Sequence, residues 1–236
     1  MNRNFTTGFI FESQHYVPNS QIQILENTEN HGVPKLIAKV CLQTLNERNG
    51  NGRYYETEVG DEIINMLRPK AQKRALFQEV DHPMVPSGVD PNGSEAQFAR
   101  KRAVTVELKN CGTLIRDIYR DGNNIIGEVE TLSGFLGPDL YKTIMYDKAD
   151  IGFSLRMFGR VVTEESTGIS KVLKPIRPIT YDTVSNPSHH SAKILSFLPE
   201  NATEFLSDDM MLTESELLQH SCVINDNLCL ECNNIS

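Results

Sequence analysis

No stretch of these 236 residues is apolar for long enough to span a bilayer, and the opening Met-Asn-Arg-Asn-Phe-Thr-Thr-Gly lacks the apolar core of a secretory signal. A soluble, cytosolic protein with no membrane partner is expected. Cysteine is sparse. The five residues (Cys41, Cys111, Cys222, Cys229, Cys232) are odd in number and unevenly spread, which argues against the disulfide framework of a secreted domain. There is no internal repeat. A basic patch for nucleic acid is also missing, because the one cluster, Arg100-Lys101-Arg102, runs into an alternating segment and reads as the solvated start of a strand.

Lys and Arg vanish altogether after Lys193. Positions 194–236 hold eight acids (Glu200, Glu204, Asp208, Asp209, Glu214, Glu216, Asp226, Glu231) and no base, so the preceding 193 residues carry 23 acids against 23 bases. The body is neutral, and the tail carries the whole net charge of -8. Such a break predicts a polar N-terminal segment (1–32), a folded body (33–193) and an acidic, partly helical or disordered tail (194–236).

Within the body, apolar alternation predicts strands at Val33–Leu45, Ala75–Val80, Ala103–Lys109, Gly112–Tyr119 and Asn124–Leu132, and Gln21–Leu25 in the N-terminal segment could be a short strand. Val59, Ile63, Ile64 and Leu67 mark a helix from Thr57 that Pro69 should break or end, and Gly137–Tyr146 is a second helix with Pro138 in its first turn. Met84–Ala96 reads as a loop. Lys171–Val184 reads as one or two strands interrupted by Pro175 and Pro178, and beyond Pro187 the chain turns polar and helical. Six or seven short strands with two helices give an α+β domain, a barrel or sandwich.

Chemistry enters at Asp150-Ile-Gly-Phe-Ser-Leu-Arg-Met-Phe158. Residues i and i+2 of a strand share a face, so Ile151, Phe153, Leu155 and Met157 line one side, while Gly152, Ser154 and Arg156 line the other. A serine on a solvated strand face is inert unless a base accepts its proton. Of six histidines, His82 fits that task best: it ends a strand, is followed by Pro83, and lies in Glu79-Val-Asp-His-Pro83 beside two acids. His15, His31, His189, His190 and His220 lie in polar stretches. A third group must orient the imidazole. Asp182, within the apolar strand Thr180-Tyr-Asp-Thr-Val184, needs a partner to be tolerated there; Glu79 is the alternative. Arg156 could hold an oxyanion or simply pair with an acid of the same sheet, and backbone N–H groups near Gly152 or in Asn186-Pro-Ser188 could serve the oxyanion equally.

Asn51-Gly-Arg-Tyr-Tyr55, Glu79-Val-Asp-His-Pro83, Ser154-Leu-Arg156 and Asp182-Thr-Val-Ser-Asn-Pro-Ser188, in this order and at these intervals, resemble the prohead maturation proteases of tailed bacteriophages, especially those of T-even type. The resemblance spans Lys35 to Ser188. It implies a β-barrel of six or seven strands wrapped by helices, similar to herpesvirus assemblin, with His82 as base, Ser154 as nucleophile and no cofactor. In the assemblin relatives a histidine on the strand after the serine is the third member; here that strand presents Asp182, with Glu79 second. Arg156 occupies the family's Ser-x-Arg position. The Asn-x-Arg-x-Tyr stretch supports the fold or the substrate groove, and Arg53 or Arg156 could read the substrate.

The resemblance further implies cleavage after glutamate, commonly in a Leu/Ile-x-Glu context, of phage scaffold, core and major capsid proteins and of the protease itself, inside the prohead in the host cytoplasm. Leu198-Pro-Glu200 and Leu212-Thr-Glu214 are accessible self-cleavage candidates, whereas Ile126-Gly-Glu128 has the same form within a strand. Whether the barrel dimerises stays open. The competing classes are a non-catalytic head scaffold of the same fold and a metal hydrolase using His82 with His189 and His190. His220, Cys222, Cys229 and Cys232 could ligate zinc, but only the last pair has the common spacing, and free thiols are the simpler reading.

Overall fold

Alternation in the first long strand sets the architecture, because Leu36, Ala38, Val40 and Leu42 all point into the core. The computed structural model describes residues 5–12, 27–30, 32–83, 93–164, 166–185, 194–197, 222–225 and 228–229. In chain order the elements are β1 (Phe5–Phe11), β2 (Asn27–Asn30), β3 (Val33–Thr44), β4 (Arg53–Tyr54), α1 (Thr57–Gln72), β5 (Leu76–Glu79) and α2 (Ser94–Val104). There follow β6 (Cys111–Asp121), β7 (Asn124–Thr131), α3 (Gly137–Met145), β8 (Gly152–Glu164), β9 (Ile169–Val184), β10 (Ile194–Phe197), β11 (Cys222–Asn225) and β12 (Leu228–Cys229).

Two sheets form. One runs β12-β11-β1-β8-β9-β4; the other runs β10-β3-β7-β6-β5, with β2 added to β3. The expected closed barrel is not seen among the described residues. The sheets meet instead at one parallel bridge, Val80↔Thr183, where the end of β5 touches β9. A single bridge leaves each sheet its own ladder, and it brings the end of β5 beside the β8–β9 hairpin. Helix α1 contributes the apolar stripe Val59, Ile63, Ile64, Leu67 and Ala71, and α3 adds Leu140 and Ile144 to the same core as Phe153, Leu155 and Met157 of β8.

Several local expectations change. Pro69 lies inside α1, which runs on to Gln72; the proline forfeits one helical hydrogen bond, while burial of Leu67 and Ala71 holds the final turn. Residues 94–104 form a helix, so Arg100-Lys101-Arg102 is helical and Ala103–Lys109 is not a strand. Strand β9 continues through Pro175 and Pro178, and the missing N–H groups appear as register shifts in the β8–β9 ladder between Arg156 and Met157 and between Phe158 and Arg160. Beyond Pro187 the described residues are strands rather than helix: β10 pairs with β3 and β11 with β1. Gln21–Leu25 lies outside the described residues. No described helix is long and apolar enough to cross a membrane.

Candidate active site

The β8–β9 register places Ser154 directly opposite Asp182. Directly paired residues of an antiparallel ladder project on the same face with Cβ atoms about 5 Å apart, so the hydroxyl and the carboxylate become neighbours through backbone pairing alone. The imidazole comes from the other sheet. After β5, Asp81 adopts a left-handed backbone (φ 64°), a conformation aspartate tolerates better than most residues, and its N–H donates to Thr183 O at 2.8 Å. This turn sets His82 across the Ser154–Asp182 pair. His82 Nδ1 lies 2.7 Å from Asp182 Oδ2, and His82 Nε2 lies 2.7 Å from Ser154 Oγ.

Ser154 is buried rather than solvated, as are Asp182 and Arg156. A buried carboxylate is costly unless every lone pair is matched. Asp182 Oδ1 accepts from the Glu79 N–H at 3.3 Å and from Arg156 Nη2 at 3.1 Å. Arg156 Nε lies 2.9 Å from Asp182 Oδ2, an ion-pair contact without the alignment of a hydrogen bond. Glu79 faces away from the imidazole: Oε2 accepts from Arg156 Nη2 at 3.0 Å, and Oε1 accepts from Arg102 Nη2 at 2.9 Å and from the Glu107 N–H at 2.7 Å. Two carboxylates and two guanidiniums thus interlock behind the histidine. Asp182, not Glu79, occupies the orienting position.

Of the two roles open to Arg156, the contacts are those of a pair with an acid of its own sheet, Asp182. Its remaining contacts are to the carbonyls of Ala103 and Thr105, at 3.3 and 3.2 Å, so the guanidinium is committed to the acid cluster and to the end of α2. Gly152 pairs with Val184 at the start of β8, two residues before the serine. Cys111 is the described thiol nearest this chemistry. Burial, reinforced by the charges of Glu79 and Asp182, pushes it up to about 12, which keeps it protonated and unreactive.

A second cluster lies on the other side of Ser154, and sequence reasoning missed it. Strand β1 runs antiparallel to β8, from Phe5↔Val162 to Phe11↔Arg156, and the Glu12 N–H donates to Leu155 O at 3.2 Å. The Glu12 carbonyl oxygen then sits against Ser154 Oγ. That hydroxyl has one proton and two acceptors in reach, Glu12 O and His82 Nε2.

The Glu12 side chain is fully buried. Its Oε2 accepts from Asn49 Nδ2 and Asn51 Nδ2, both at 2.8 Å, and lies 3.1 Å from Arg53 Nη1, while Tyr55 OH donates to Oε1. The loop Asn46–Gly52 is built for this: Asn49 Oδ1 accepts from the backbone N–H groups of Asn51 and Arg53 at 3.0 and 2.8 Å, and Gly52 supplies the left-handed turn (φ 74°). Burial, then the Glu12 charge, drives the Tyr55 hydroxyl well above its usual range, so it remains a donor. Arg53, one of two residues considered for reading the substrate, thus holds a glutamate in this structure. The form Ile10-Phe-Glu12 was the available signal for this contact.

Glu200, Glu214, His15, His31, His189, His190, His220, Cys232 and Asn186–Ser188 lie outside the described residues, and Cys222 and Cys229 lie on β11 and β12. Glu128 is on β7.

Residues 15–228 match the model of the peptidase S80 family. No curated protein sequence matches the chain. Among solved structures, that of the bacteriophage T4 capsid assembly protease, gp21, aligns with a TM-score of 0.53 at 16% identity, covering 79% of this chain and 100% of the other.

Proposed function

Because the chain belongs to the peptidase S80 family, we propose that it is a serine endopeptidase that cuts after glutamate in the scaffold, core and capsid proteins of an assembling phage prohead, within the host cytoplasm. The observation that carries this reading is the line Ser154 Oγ, His82 Nε2, His82 Nδ1, Asp182 Oδ2, with 2.7 Å at each hydrogen-bonded link. His82 takes the Ser154 proton as the oxygen attacks the scissile carbonyl, then passes it to the departing amine; water repeats the sequence to release the acyl group. Asp182 accepts from Nδ1 and so keeps Nε2 free to act as base. Arg156 and the Glu79 N–H position Asp182. Backbone N–H groups near Gly152 or in Asn186–Ser188 are the proposed oxyanion donors, since the Arg156 guanidinium is committed elsewhere.

Serine chemistry is favoured over cysteine chemistry because Ser154 stands on the imidazole, whereas the Cys111 thiol is pushed up to about 12. Preference for glutamate is supported by the four side chains that already enclose one. The prohead setting rests on the family and on the aligned structure, which is that of a capsid assembly protease. The acidic tail is proposed to be shed by self-cleavage after Glu200 and Glu214. The test is hydrolysis of an Ile-x-Glu peptide, read together with the intact mass of the chain. Wild type should cut both, while Ser154→Ala and His82→Ala should lose at least ~10³-fold. A Ser154→Ala chain that still hydrolyses the peptide would sink the reading. A folded wild type inert to every glutamyl peptide would instead point to a head scaffold of the same fold.

A further inference from the structure

The geometry points to the chain's own N-terminal strand as the first substrate of this site: we propose that the Glu12–Ser13 bond is cleaved by Ser154, and that Asn49, Asn51, Arg53 and Tyr55 form the pocket that reads the glutamate. The inference rests on the endopeptidase reading and adds to it a processing site and the residues that set specificity.

Three independent features of β1 match a bound acyl-side segment. An extended peptide that adds to a sheet edge gains main-chain hydrogen bonds and presents alternate side chains to pockets. Residues Phe5 to Phe11 pair with β8 in unbroken register, and Glu12 continues that pairing through Leu155 O, one position short of the nucleophile. The Glu12 carbonyl oxygen is in contact with Ser154 Oγ, which brings this carbonyl to the nucleophile; attack then needs its carbon to turn toward Oγ and its oxygen toward the oxyanion donors.

The carboxylate is the second feature. Glu12 is fully buried, a state tolerable for a charged group only where it is matched, and it is met by two amides, a guanidinium and a phenol. A neutral glutamine in its place could not accept from all of these donors, so the pocket discriminates by charge and by acceptor count. The third feature is Ile10, on the same strand face as Glu12. It is fully buried, and it lies over Gly159, where an added Cβ would come within 3.4 Å of Ile10 Cδ1 and 3.5 Å of Ile176 Cγ2. Ile10-Phe-Glu12 therefore fills an apolar subsite and an acid-reading subsite in one stroke.

The chemical step balances within the chain. Ser154 Oγ forms an ester to the Glu12 carbonyl carbon, the bond to the Ser13 nitrogen breaks, and the hydroxyl proton passes through His82 Nε2 to the departing Ser13 amine. Water then hydrolyses the ester and regenerates the hydroxyl. The freed carboxylate end of residues 1–12 keeps its β8 ladder and its pocket, so it acts as a product inhibitor that an incoming glutamyl substrate must displace.

The full-length chain tests this by N-terminal sequencing and intact mass, with hydrolysis of an Ile-x-Glu peptide followed in parallel. Wild type should yield a new terminus at Ser13; Ser154→Ala should not. Glu12→Gln should keep residues 1–12 attached, yet cut the added peptide with a KM about 10-fold lower, because its strand no longer holds the acid pocket as tightly. Arg53→Ala should lower kcat/KM for the glutamyl peptide by about 10- to 100-fold and shrink its ratio over the matching glutaminyl peptide, a ratio that a purely structural role would leave unchanged. Wild type that cuts the peptide but retains the Glu12–Ser13 bond overturns this inference and leaves the endopeptidase standing. Wild type that cuts neither overturns both.

Discussion

Asp182 is one residue on which the proposed chemistry turns, because in that proposal it orients His82 without touching substrate. Its Oδ2 meets Nδ1 at 2.7 Å, which fixes the tautomer with Nε2 free to accept the Ser154 proton. Asp182→Asn preserves shape but offers an amide that favours the opposite tautomer. A fall in kcat of about 10⁴-fold is expected with KM nearly unchanged, measured on a glutamyl peptide. At this scale much was legible. His82, Ser154 and Asp182 stand in short motifs, and a serine and an acid on successive strands are natural cross-strand partners. Glu12 was not legible in the same way. Its partners lie 37 to 43 positions away in sequence, and beyond the form Ile10-Phe-Glu12 nothing local marks a glutamate that four donors enclose. For Arg156 an oxyanion or substrate contact and a pair with an acid of the same sheet stood open together, because alternation reports the face of a strand, not what covers that face.

At the scale of elements, the long strands and two of the three described α-helices followed from periodicity, while α2 did not. Val104-Thr-Val-Glu107 alternates like a strand, and that pattern hid the helix-forming run Glu95–Ala103 before it; the helix prevailed because Arg102 and the carbonyls of Ala103 and Thr105 satisfy the buried Glu79 and Arg156. The entry to α3 is sterically tight. A Cβ on Gly137 would lie 2.0 Å from the backbone oxygen of Leu132, whereas one on Gly60 in α1 would lie 2.3 and 2.7 Å from the two methyl groups of Leu45, a side chain that can shift more readily than backbone. Gly137→Ala is therefore expected to cost about 3 kcal/mol or more. Gly60→Ala should cost only about 0–2 kcal/mol, because alanine's helix preference offsets part of the overpacking. Urea denaturation of the two variants checks the order; equal losses would contradict it.

Across the whole molecule, charge pairs tie the second sheet to α1 and its C-terminal turn. Glu130 on β7 is bound by Lys35 of β3 and by Arg74 just beyond α1, the latter at 2.8 Å. Burial by itself would raise the Glu130 carboxyl, but the hydrogen bonds from Arg74 and Lys35 outweigh it and hold the group below the usual carboxylate range. A carboxyl depressed in the folded state adds stability above its unfolded value, near 4.5, and that contribution is lost as pH falls through the folded value. Glu130→Gln should melt below wild type at pH 7, and the gap should narrow as the pH drops under about 4.5; a constant gap would mean that packing, not charge, is responsible. Closure of the sheets was the least legible feature at this scale. The resemblance pointed to a barrel, yet a single bridge between Val80 and Thr183 joins two separate ladders, and which strand edges pair over 100 residues of separation is not written in local pattern.

The central claim, that Ser154 is a nucleophile activated by His82, is tested most directly by labelling the full chain with a glutamyl phosphonate and mapping the adduct by peptide mass spectrometry. One stoichiometric adduct on Ser154 is expected, forming at least ~10²-fold more slowly in His82→Ala, with Cys111 unmodified. An adduct elsewhere, or labelling of Ser154 at the same rate without His82, would contradict it.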